Sequence, residues 1–358
     1  MTRQIRRVLQ VGDLHLATSK LQDQTPVITW LGRLIAEREI DLVIVAGDLT
    51  GSRQSPHLSR PVERNALLDF LAPLVAEGVE VLAYPGNHDV EADWAFLPRL
   101  GVTWVTTPQT VTYLGLLVHV LPYPGRGWAA MQGNMTRQEV TERVGGALRA
   151  VCACFARDGL GPSILTAHCA TTGAKTSSGY AMIGGDVELS ESDLLASGAA
   201  VVLCNHIHKP QHNGRVIHVG SPWPVTAAEE ETKRVVIYDV ETGEIESVPT
   251  PCVQRATVDA TWADGTWDVE PQNFTERHRV RLRLFYPEGD AINVDAARSI
   301  CDGAGSVKVE RCPERTERQR APEVVAAHTL AARYLAFEAS EGRTPDDREI
   351  AMMEGMTS

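Results

Sequence analysis

Two histidines separated by one residue follow an apolar run in the second half of the chain. His206 and His208 come directly after the run 199–203 and the pair Cys204 and Asn205. If the extended geometry of a strand continues to this point, both imidazoles point to the same side. Imidazole nitrogens at such a rim can bind a metal ion, or they can serve only as hydrogen-bonded structure. The other polar residues that follow strands help to decide between these alternatives.

Four more polar clusters each come just after an apolar run that indicates a strand. They are Asp13 with His15, then Asp48, then Asn87, His88 and Asp89, and finally His168. Open α/β sheets place their active sites at the carboxyl ends of the strands, where all five clusters would meet. Taken one at a time, a turn or a structural histidine explains each cluster at least as well.

Together, the five clusters offer a mixed set of oxygen and nitrogen ligands. Carboxylates, imidazoles and one amide oxygen suit two divalent ions such as Mn²⁺ or Fe²⁺ better than they suit magnesium alone. A shared carboxylate such as Asp48 could bridge two metals about 3.5–4 Å apart, the spacing of two-metal phosphoryl-transfer sites. We therefore predict a site with two metal ions, in which His206 and His208 bind different ions.

The elements that position these clusters follow from the hydrophobic pattern. Apolar runs indicate strands at 8–11, 42–46, 79–84, 164–167, 199–203, 216–219 and 235–240, and helical patterns cover 26–38, 62–77 and 137–157. Strands that are buried on both faces read as continuous apolar runs, and here they alternate with helices. The pattern predicts a layered α/β fold over the first two thirds of the chain.

The order of the motifs resembles that of the calcineurin-like metallophosphoesterase superfamily. Residues 8 to about 240 contain D-x-H, G-D, G-N-H-D, a lone histidine and H-x-H in this order. The resemblance implies a sandwich of two mixed β-sheets flanked by helices, with His88 as the catalytic histidine and Asp89 orienting its loop. The first metal would be held by Asp13, His15, Asp48 and His208. The second would be held by Asp48, Asn87, His168 and His206, with Asp48 bridging.

One position departs from the superfamily pattern. The superfamily usually has glycine before the final H-x-H, whereas this chain has Asn205. Asparagine is, after glycine, the residue that best tolerates the left-handed region of the backbone. We therefore expect the site to persist, with at most a small shift of His206.

A narrower resemblance lies in the segment after the histidine pair. HIHKPQ, followed by Gly220-Ser221-Pro222, the acidic run 229–231 and Lys233, resembles the nuclease subunits of SbcCD-type DNA repair complexes. The resemblance implies a manganese-dependent DNA nuclease, a homodimer, and an SbcC-type coiled-coil ATPase as partner. It divides the chain into a catalytic domain at 1–252, a small α+β capping domain at 253–320 and a helical partner-binding tail at 321–358.

Two other functions are compatible with parts of this pattern. A small-molecule phosphodiesterase, acting for example on cyclic nucleotides, would have the same metal site. A non-enzymatic scaffold would have lost its metal ligands, whereas every expected ligand is present here. Residues 253–358 favour the nuclease, because a small-molecule hydrolase needs no such appendage.

The region 253–320 is more basic and less apolar than the part before it. It reads as a strand at 277–285, a helix at 293–301 and a strand at 306–312. One face of the first strand carries Arg277, Arg279, Arg281 and Arg283. Further positive charge follows at Arg311, Arg315, Arg318 and Arg320. The arginine face could grip a phosphate backbone, or it could be a solvated surface.

The tail beyond Pro322 has a helical pattern that ends at Gly342. Its apolar stripe consists of Ala327, Leu330, Ala331, Tyr334 and Leu335. Such a stripe either packs on its own domain or lies in the groove of a partner, because both use the same spacing.

Composition excludes several classes of protein. The formal net charge of −12 argues against a protein that coats nucleic acid by bulk charge, although a local basic stripe can still bind it. The seven cysteines form no C-x-x-C pair, which indicates reduced thiols rather than zinc fingers or a disulfide framework. We expect a cytoplasmic protein without a signal peptide or a membrane span.

Overall fold

A computed structural model describes residues 4–51, 61–124, 137–158, 161–177, 187–213, 215–270, 272–314, 324, 327–340, 342–344 and 349–350. The chain divides into two compact units. The larger unit runs to residue 257 and includes 273–281 and 301–308, and the smaller contains 258–272, 282–300 and the residues from 309 onward. The domain boundaries expected after residues 252 and 320 stay predictions.

The secondary structure of the described residues up to 249 alternates between strands and helices. In chain order the elements are β1 (Arg7–Val11), α1 (Leu21–Glu37), β2 (Leu42–Ala46), α2 (Pro61–Ala76), β3 (Glu80–Tyr84), two short 3-10 helices (Glu91–Trp94 and Leu97–Leu100), β4 (Thr103–Trp104), β5 (Gln109–Tyr113), β6 (Leu116–Leu121), α3 (Arg137–Phe155), β7 (Ser163–His168), β8 (Ala170–Thr171), β9 (Glu188–Leu189), α4 (Glu191–Leu195), β10 (Val201–Asn205), β11 (Gln211–Asn213), β12 (Val216–His218), β13 (Arg234–Asp239) and β14 (Ile245–Pro249). Each predicted strand and helix of this region is present, with ends that shift by a few residues.

Two six-stranded sheets are mixed. The first has the order β14-β13-β1-β2-β3-β4, in which β1 to β4 are parallel and β13 runs antiparallel to β1. The second has the order β11-β12-β10-β7-β6-β5, in which the four central strands are parallel and the two edge strands are antiparallel. A small pair, β8 with β9, is separate.

The buried side chains form three layers, which explains the order of the elements. Along β2, Val43 and Val45 belong to a core with α1 and α2, whereas Leu42 and Ile44 belong to a core between the two sheets. A third core packs α3 and α4 on the outer face of the second sheet. Strands buried on both faces produce the continuous apolar runs of the sequence. The predicted sandwich of two mixed sheets flanked by helices is confirmed.

Residues 254–314 contribute a four-stranded sheet. Its elements are β15 (Gln254–Ala263), β16 (Thr266–Asp268), β17 (His278–Pro287), α5 (Val294–Ser299) and β18 (Ser306–Glu314), with the strand order β16-β15-β17-β18. The predicted strand, helix and strand correspond to β17, α5 and β18. The hairpin β15–β16 was not predicted, although Asp264-Gly265, both with positive φ, is a strong hairpin signal.

The tail contains one described helix, α6 (Leu330–Ser340). It begins at Leu330 because the hydroxyl of Thr329 accepts from the backbone N–H of Ala332. Ala327 of the predicted stripe therefore precedes the helix, and Pro322 lies outside the described residues. Within the part of the chain that the structure describes, no helix is long and apolar enough to cross a membrane.

Candidate metal centre

The carboxyl ends of three strands bring four potential metal ligands together. Asp13 and His15 follow β1, Asp48 follows β2 and His208 follows β10, and one ligand atom from each lies within 4.8 Å of the others. His15 Nε2 lies 3.1 Å from His208 Nε2 and 3.3 Å from Asp48 Oδ2. These are the four residues expected to hold the first metal.

A second group of donors lies around the same carboxylate. His168 Nε2, at the end of β7, lies 3.5 Å from Asp48 Oδ2 and 3.2 Å from Asn87 Oδ1. Asn87 Oδ1 also lies 2.9 Å from His206 Nδ1. Asp48 Oδ2 is therefore within 3.5 Å of an imidazole from each group, as a bridging ligand would be. The structure brings all seven expected ligands together, and their roles in metal binding stay predictions.

The backbone of the site contains several residues in the left-handed region. Asp13, His15, Asp48 and His206 have φ angles of 51°, 42°, 52° and 102°. This conformation costs energy for residues other than glycine, and such residues concentrate at functional sites. The positive φ near the histidine pair lies at His206, and not at Asn205, which ends β10.

Two glycines leave the space that the ligands need. A Cβ on Gly86 would lie 2.2 Å from Asp48 Oδ1, and a Cβ on Gly47 would lie 2.4 Å from His168 Nδ1. Side chains at these positions would displace the ligands, so the close approach of the backbone requires glycine.

Two of the histidines are held at the nitrogen that faces away from the site. His168 Nδ1 donates to the carbonyl of Ala46 at 3.0 Å, and His208 Nδ1 lies 3.0 Å from Glu229 Oε1. Glu229 in turn accepts from Lys233 Nζ at 2.7 Å. A hydrogen bond at Nδ1 fixes the ring and directs Nε2 toward a metal.

A known protein family matches this part of the chain. The calcineurin-like phosphoesterase family matches residues 6–210, which is more than half of the chain and contains all seven donors. The chain belongs to this family. It is therefore a metallophosphoesterase, a class of metal-dependent hydrolases, and its donor set fits that chemistry.

Several solved structures are similar to this metallophosphoesterase over 69% of its chain. A protein of Thermus thermophilus is 14% identical, with 99% of its chain covered and a TM-score of 0.40. An anchor protein of the inner membrane complex of Plasmodium is 11% identical, with 90% covered and a TM-score of 0.40. A dimetal phosphatase from Danio rerio is 8% identical, with 96% covered and a TM-score of 0.41.

The pKa values at the metallophosphoesterase site show that it attracts positive charge. Burial acts to lower the pKa of His168, but the charge and hydrogen bond of Asp48 outweigh it and raise the pKa to about 10. The same balance raises the pKa of His15. Although burial opposes the change, these two imidazoles hold the pKa of Asp48 well below its usual value. Buried carboxylates that draw protons onto neighbouring imidazoles form an environment that suits divalent cations.

The expected catalytic histidine lies beside the donors. The backbone N–H of His88 donates to Asp48 Oδ1 at 2.8 Å, and the imidazole packs edge-on against that of His15 with 4.9 Å between ring centres. Burial lowers the pKa of His88, and the neighbouring histidines His15, His168 and His208 add to this effect. The ring is therefore neutral near pH 7.

Asp89 ties the loop of His88 to the strand ends. Its carboxylate accepts from the backbone N–H of Leu49 at 3.0 Å and from that of Gly86 at 2.9 Å. Burial, together with the charge of Asp48, raises the pKa of Asp89 to about 7. This position is the one that a loop-orienting residue would take.

Two residues near the site had no role assigned from the sequence. The centre of the Tyr123 ring lies 5.7 Å from the centre of the His206 ring and 6.1 Å from that of the His168 ring. Tyr123 follows β6, so the search for polar residues after strands could have found it. Glu229 belongs to the acidic run 229–231 of the sequence, and its contact with His208 was not predicted.

The arginine face of β17 is engaged within the chain. Val280, Leu282 and Leu284 are buried, which confirms the alternation. Arg277 donates to the carbonyl of Cys252 at 2.9 Å, Arg279 to Asp23 at 2.8 Å, and Arg283 to Asp259 at 2.6 Å. Arg281 lies on the same face, Arg311 lies exposed on β18, and Arg315, Arg318 and Arg320 lie outside the described residues. Binding of DNA by this face stays a prediction.

Proposed function

We propose that this metallophosphoesterase is a two-metal-dependent DNA nuclease, the SbcD-type subunit of an SbcCD-like complex for DNA repair and recombination. The observation that carries the proposal is the position of the segment that resembles SbcD. Lys233 Nζ donates to the carbonyl of His208 at 3.0 Å, the backbone N–H of Ser221 donates to the same carbonyl at 3.1 Å, and Glu229 holds the His208 ring. The residues that carry the resemblance are thus the ones that support an expected metal ligand.

The chemistry of the site suits hydrolysis of a phosphodiester. Two bound divalent ions would polarise the phosphodiester and supply a nucleophile at neutral pH. The two groups of donors would hold these ions, with Asp48 shared between them. Neutral His88 can donate a hydrogen bond to a phosphate oxygen or give its proton to the leaving 3′ oxygen. Asp89 keeps the loop of His88 against the strand ends.

We propose manganese as the metal. Four of the seven expected ligands are imidazoles, His15, His168, His206 and His208, and imidazole nitrogen suits transition metals better than it suits Mg²⁺. Fe²⁺ and Mg²⁺ are the alternatives that a metal-exchange experiment would compare.

We propose an SbcC-type coiled-coil ATPase as the partner and a homodimer as the assembly. Leu335, a member of the predicted stripe, keeps 39% of its surface exposed on α6, and an exposed apolar side chain of this kind suits a helix that docks on another helix. The dimer follows from the resemblance alone. We also propose a cytoplasmic location, which the free cysteines support.

Hydrolysis of end-labelled linear duplex DNA tests the nuclease proposal. We expect the full chain with Mn²⁺ to degrade the DNA, and His88→Ala to keep its Mn²⁺ but to act about 100-fold or more slowly. His212→Ala is the matched control, because it removes an exposed histidine outside the site and should leave the rate unchanged. A closed circular substrate beside the linear one separates endonuclease from exonuclease activity.

A small-molecule phosphodiesterase is the second candidate. The observation that favours it is the pairing of Arg277, Arg279 and Arg283 within the chain, because these groups would have to exchange partners to bind a phosphate backbone. A cyclic nucleotide assayed in parallel decides between the two. Hydrolysis of the cyclic nucleotide with DNA left intact, even with the ATPase present, would contradict the nuclease proposal.

A further inference from the structure

Asn205 directly precedes the histidine pair, and its side chain is fully buried at the end of β10. Its Nδ2 donates to Asp13 Oδ2 at 3.0 Å and to the carbonyl of Gly220 at 3.1 Å. The backbone N–H of His206 donates to the same carboxylate at 3.1 Å. Two consecutive residues therefore hold Asp13, an expected ligand of the first metal.

A buried polar network lies behind Asn205 and joins the two sheets. Gln10 Nε2, on β1, donates to Asn205 Oδ1 at 2.9 Å, and Thr166 Oγ1, on β7, donates to Gln10 Oε1 at 2.8 Å. The hydroxyl of Tyr84, on β3, lies 2.6 Å from Thr166 Oγ1. All four side chains are fully buried, so each of them needs its hydrogen bonds to offset the loss of water.

The hydrogen bonds of this network can run in only one direction, from Tyr84 toward Asp13. The carbonyl of Gly220 can only accept, and the carboxylate of Asp13 already accepts from the backbone N–H of His206, so Asn205 must present its NH₂ to both and its oxygen to Gln10. Gln10 must then use its NH₂ on Asn205 and on the carbonyl of Leu203, at 3.2 Å. Its oxygen takes the proton of Thr166, which leaves Tyr84 as the donor to Thr166. Every dipole is thus oriented with its donor end toward Asp13.

The space around Asn205 is filled by its own carboxamide. A Cβ on Gly12 would lie 2.6 Å from Asn205 Cγ, which shows that the side chain packs directly on the backbone that leads to Asp13. With glycine at position 205, Gln10 Nε2 would lose its bond to Oδ1 and Asp13 Oδ2 would lose the bond from Nδ2. The carboxamides of Asn205 and Gln10 therefore depend on each other for their hydrogen bonds.

We infer that Asn205 is a positioning residue for the metal ligand Asp13, and that Gln10 acts on Asp13 only through Asn205. The carboxamide fixes the orientation of the Asp13 carboxylate and leaves its remaining lone pairs for the ion. The inference rests on the metal site of the proposed function but not on its substrate.

Titration of the full chain with Mn²⁺, followed by calorimetry, tests this role. Asn205→Leu keeps most of the side-chain volume but removes both hydrogen-bonding functions, and we expect it to weaken Mn²⁺ binding about 10- to 100-fold. Gln10→Leu should weaken binding less. In the double variant the change at Gln10 should have no further effect, because its route to Asp13 is already broken. Asn205→Gly, which adds no bulk, should also bind Mn²⁺ more weakly. It replaces Asn205→Leu in the test if the leucine variant does not fold.

Ser197→Ala is the control for a purely structural effect. It removes a buried hydrogen bond, from Ser197 Oγ to the carbonyl of Leu194 at 2.7 Å, on a different element. It should lower the resistance to urea while Mn²⁺ affinity stays unchanged. For the Asn205 variants, hydrolysis of a chromogenic phosphodiester should recover as Mn²⁺ is raised to saturation, since the defect lies in binding the ion.

Wild-type Mn²⁺ affinity in both Asn205→Leu and Asn205→Gly, with only the stability lowered, would overturn the inference. Additive effects of the Gln10 and Asn205 changes would overturn the coupling between them. Because Mn²⁺ binding is measured without substrate, these failures are distinct from a failure of the nuclease proposal, in which the chain binds Mn²⁺ normally and leaves DNA intact.

Discussion

At the scale of single residues, Asp48 contacts more parts of the site than any other residue described above. Asp48 Oδ2 lies between His15 and His168, whereas Oδ1 accepts from the backbone of His88. One side chain thus connects both groups of donors to the loop of His88. Its charge also controls the protonation of the imidazoles, so removal of the metal should expose a dependence of stability on pH.

Unfolding by urea in the presence of a chelator measures that dependence. The pKa of His168 is about 10 in the folded protein, against an ordinary value of 6.5. The folded state therefore holds more protons between these values, and its stability is full below about pH 6.5 and falls as the pH rises toward 10. We expect a lower urea midpoint at about pH 9 than at about pH 7.

The variant His168→Gln isolates this residue. It keeps a polar side chain but does not titrate, so the change of the midpoint between these two pH values should become smaller. An equally steep change in the variant would mean that another group is responsible. For Mn²⁺ binding the sign is opposite, because the ligands must lose their protons, and affinity should rise with pH.

At the scale of elements, the loop between β12 and β13 supports the end of β10. Lys233 is buried, with 1% of its surface exposed, and it contacts Glu229 at 2.7 Å and Glu231 at 2.6 Å. Burial opposes ionisation of Glu229, but the hydrogen bond and charge of His208, together with Lys233, hold its pKa well below the usual value. The loop is therefore both a structural and a ligand-positioning element.

Glu229→Gln should weaken both functions of this loop. Because Lys233 then keeps only one charged partner, Glu231, we expect a loss of about 3 kcal/mol in the free energy of unfolding, the low end for breaking a buried pair. Mn²⁺ affinity should also fall, since the His208 ring loses its charged partner. Glu230→Gln makes the same change at the exposed neighbouring position and should alter neither quantity. Equal effects of the two variants would contradict the role of Glu229.

The arginine face of β17 is the element that separates nuclease from small-molecule hydrolase. If it binds phosphates, the double variant Arg281→Gln/Arg283→Gln should bind DNA more weakly. The slope of log affinity against log salt should become shallower by about 0.9 for each phosphate that the variant no longer neutralises. Arg149→Gln/Arg157→Gln removes the same charge from exposed positions on and after α3 and is the control. An unchanged slope in the β17 variant would identify that face as a solvated surface.

At the scale of the whole molecule, the layered α/β fold and the clustering of polar residues after its strands could be predicted because both depend on local order along the chain. The sandwich of two mixed sheets and the assignment of seven ligands to two metals were implied only by the resemblance to the superfamily. Each donor follows an apolar run, and parallel strands bring such ends to one edge. Contacts between distant residues could not be predicted in this way. Gln10 and Asn205 are 195 positions apart, and Arg279 and Asp23 are 256 apart. Gln10 inside a strand gives no local sign of its buried partner.

We propose that one set of seven side chains holds two metal ions around Asp48. The number of Mn²⁺ ions bound per chain at saturation, determined by elemental analysis, decides whether it does. We expect two ions in the wild-type chain and in His88→Ala, and a loss of bound metal in Asp48→Asn, because both groups of donors share that carboxylate. A single ion in the wild-type chain, or two ions retained in Asp48→Asn, would contradict it.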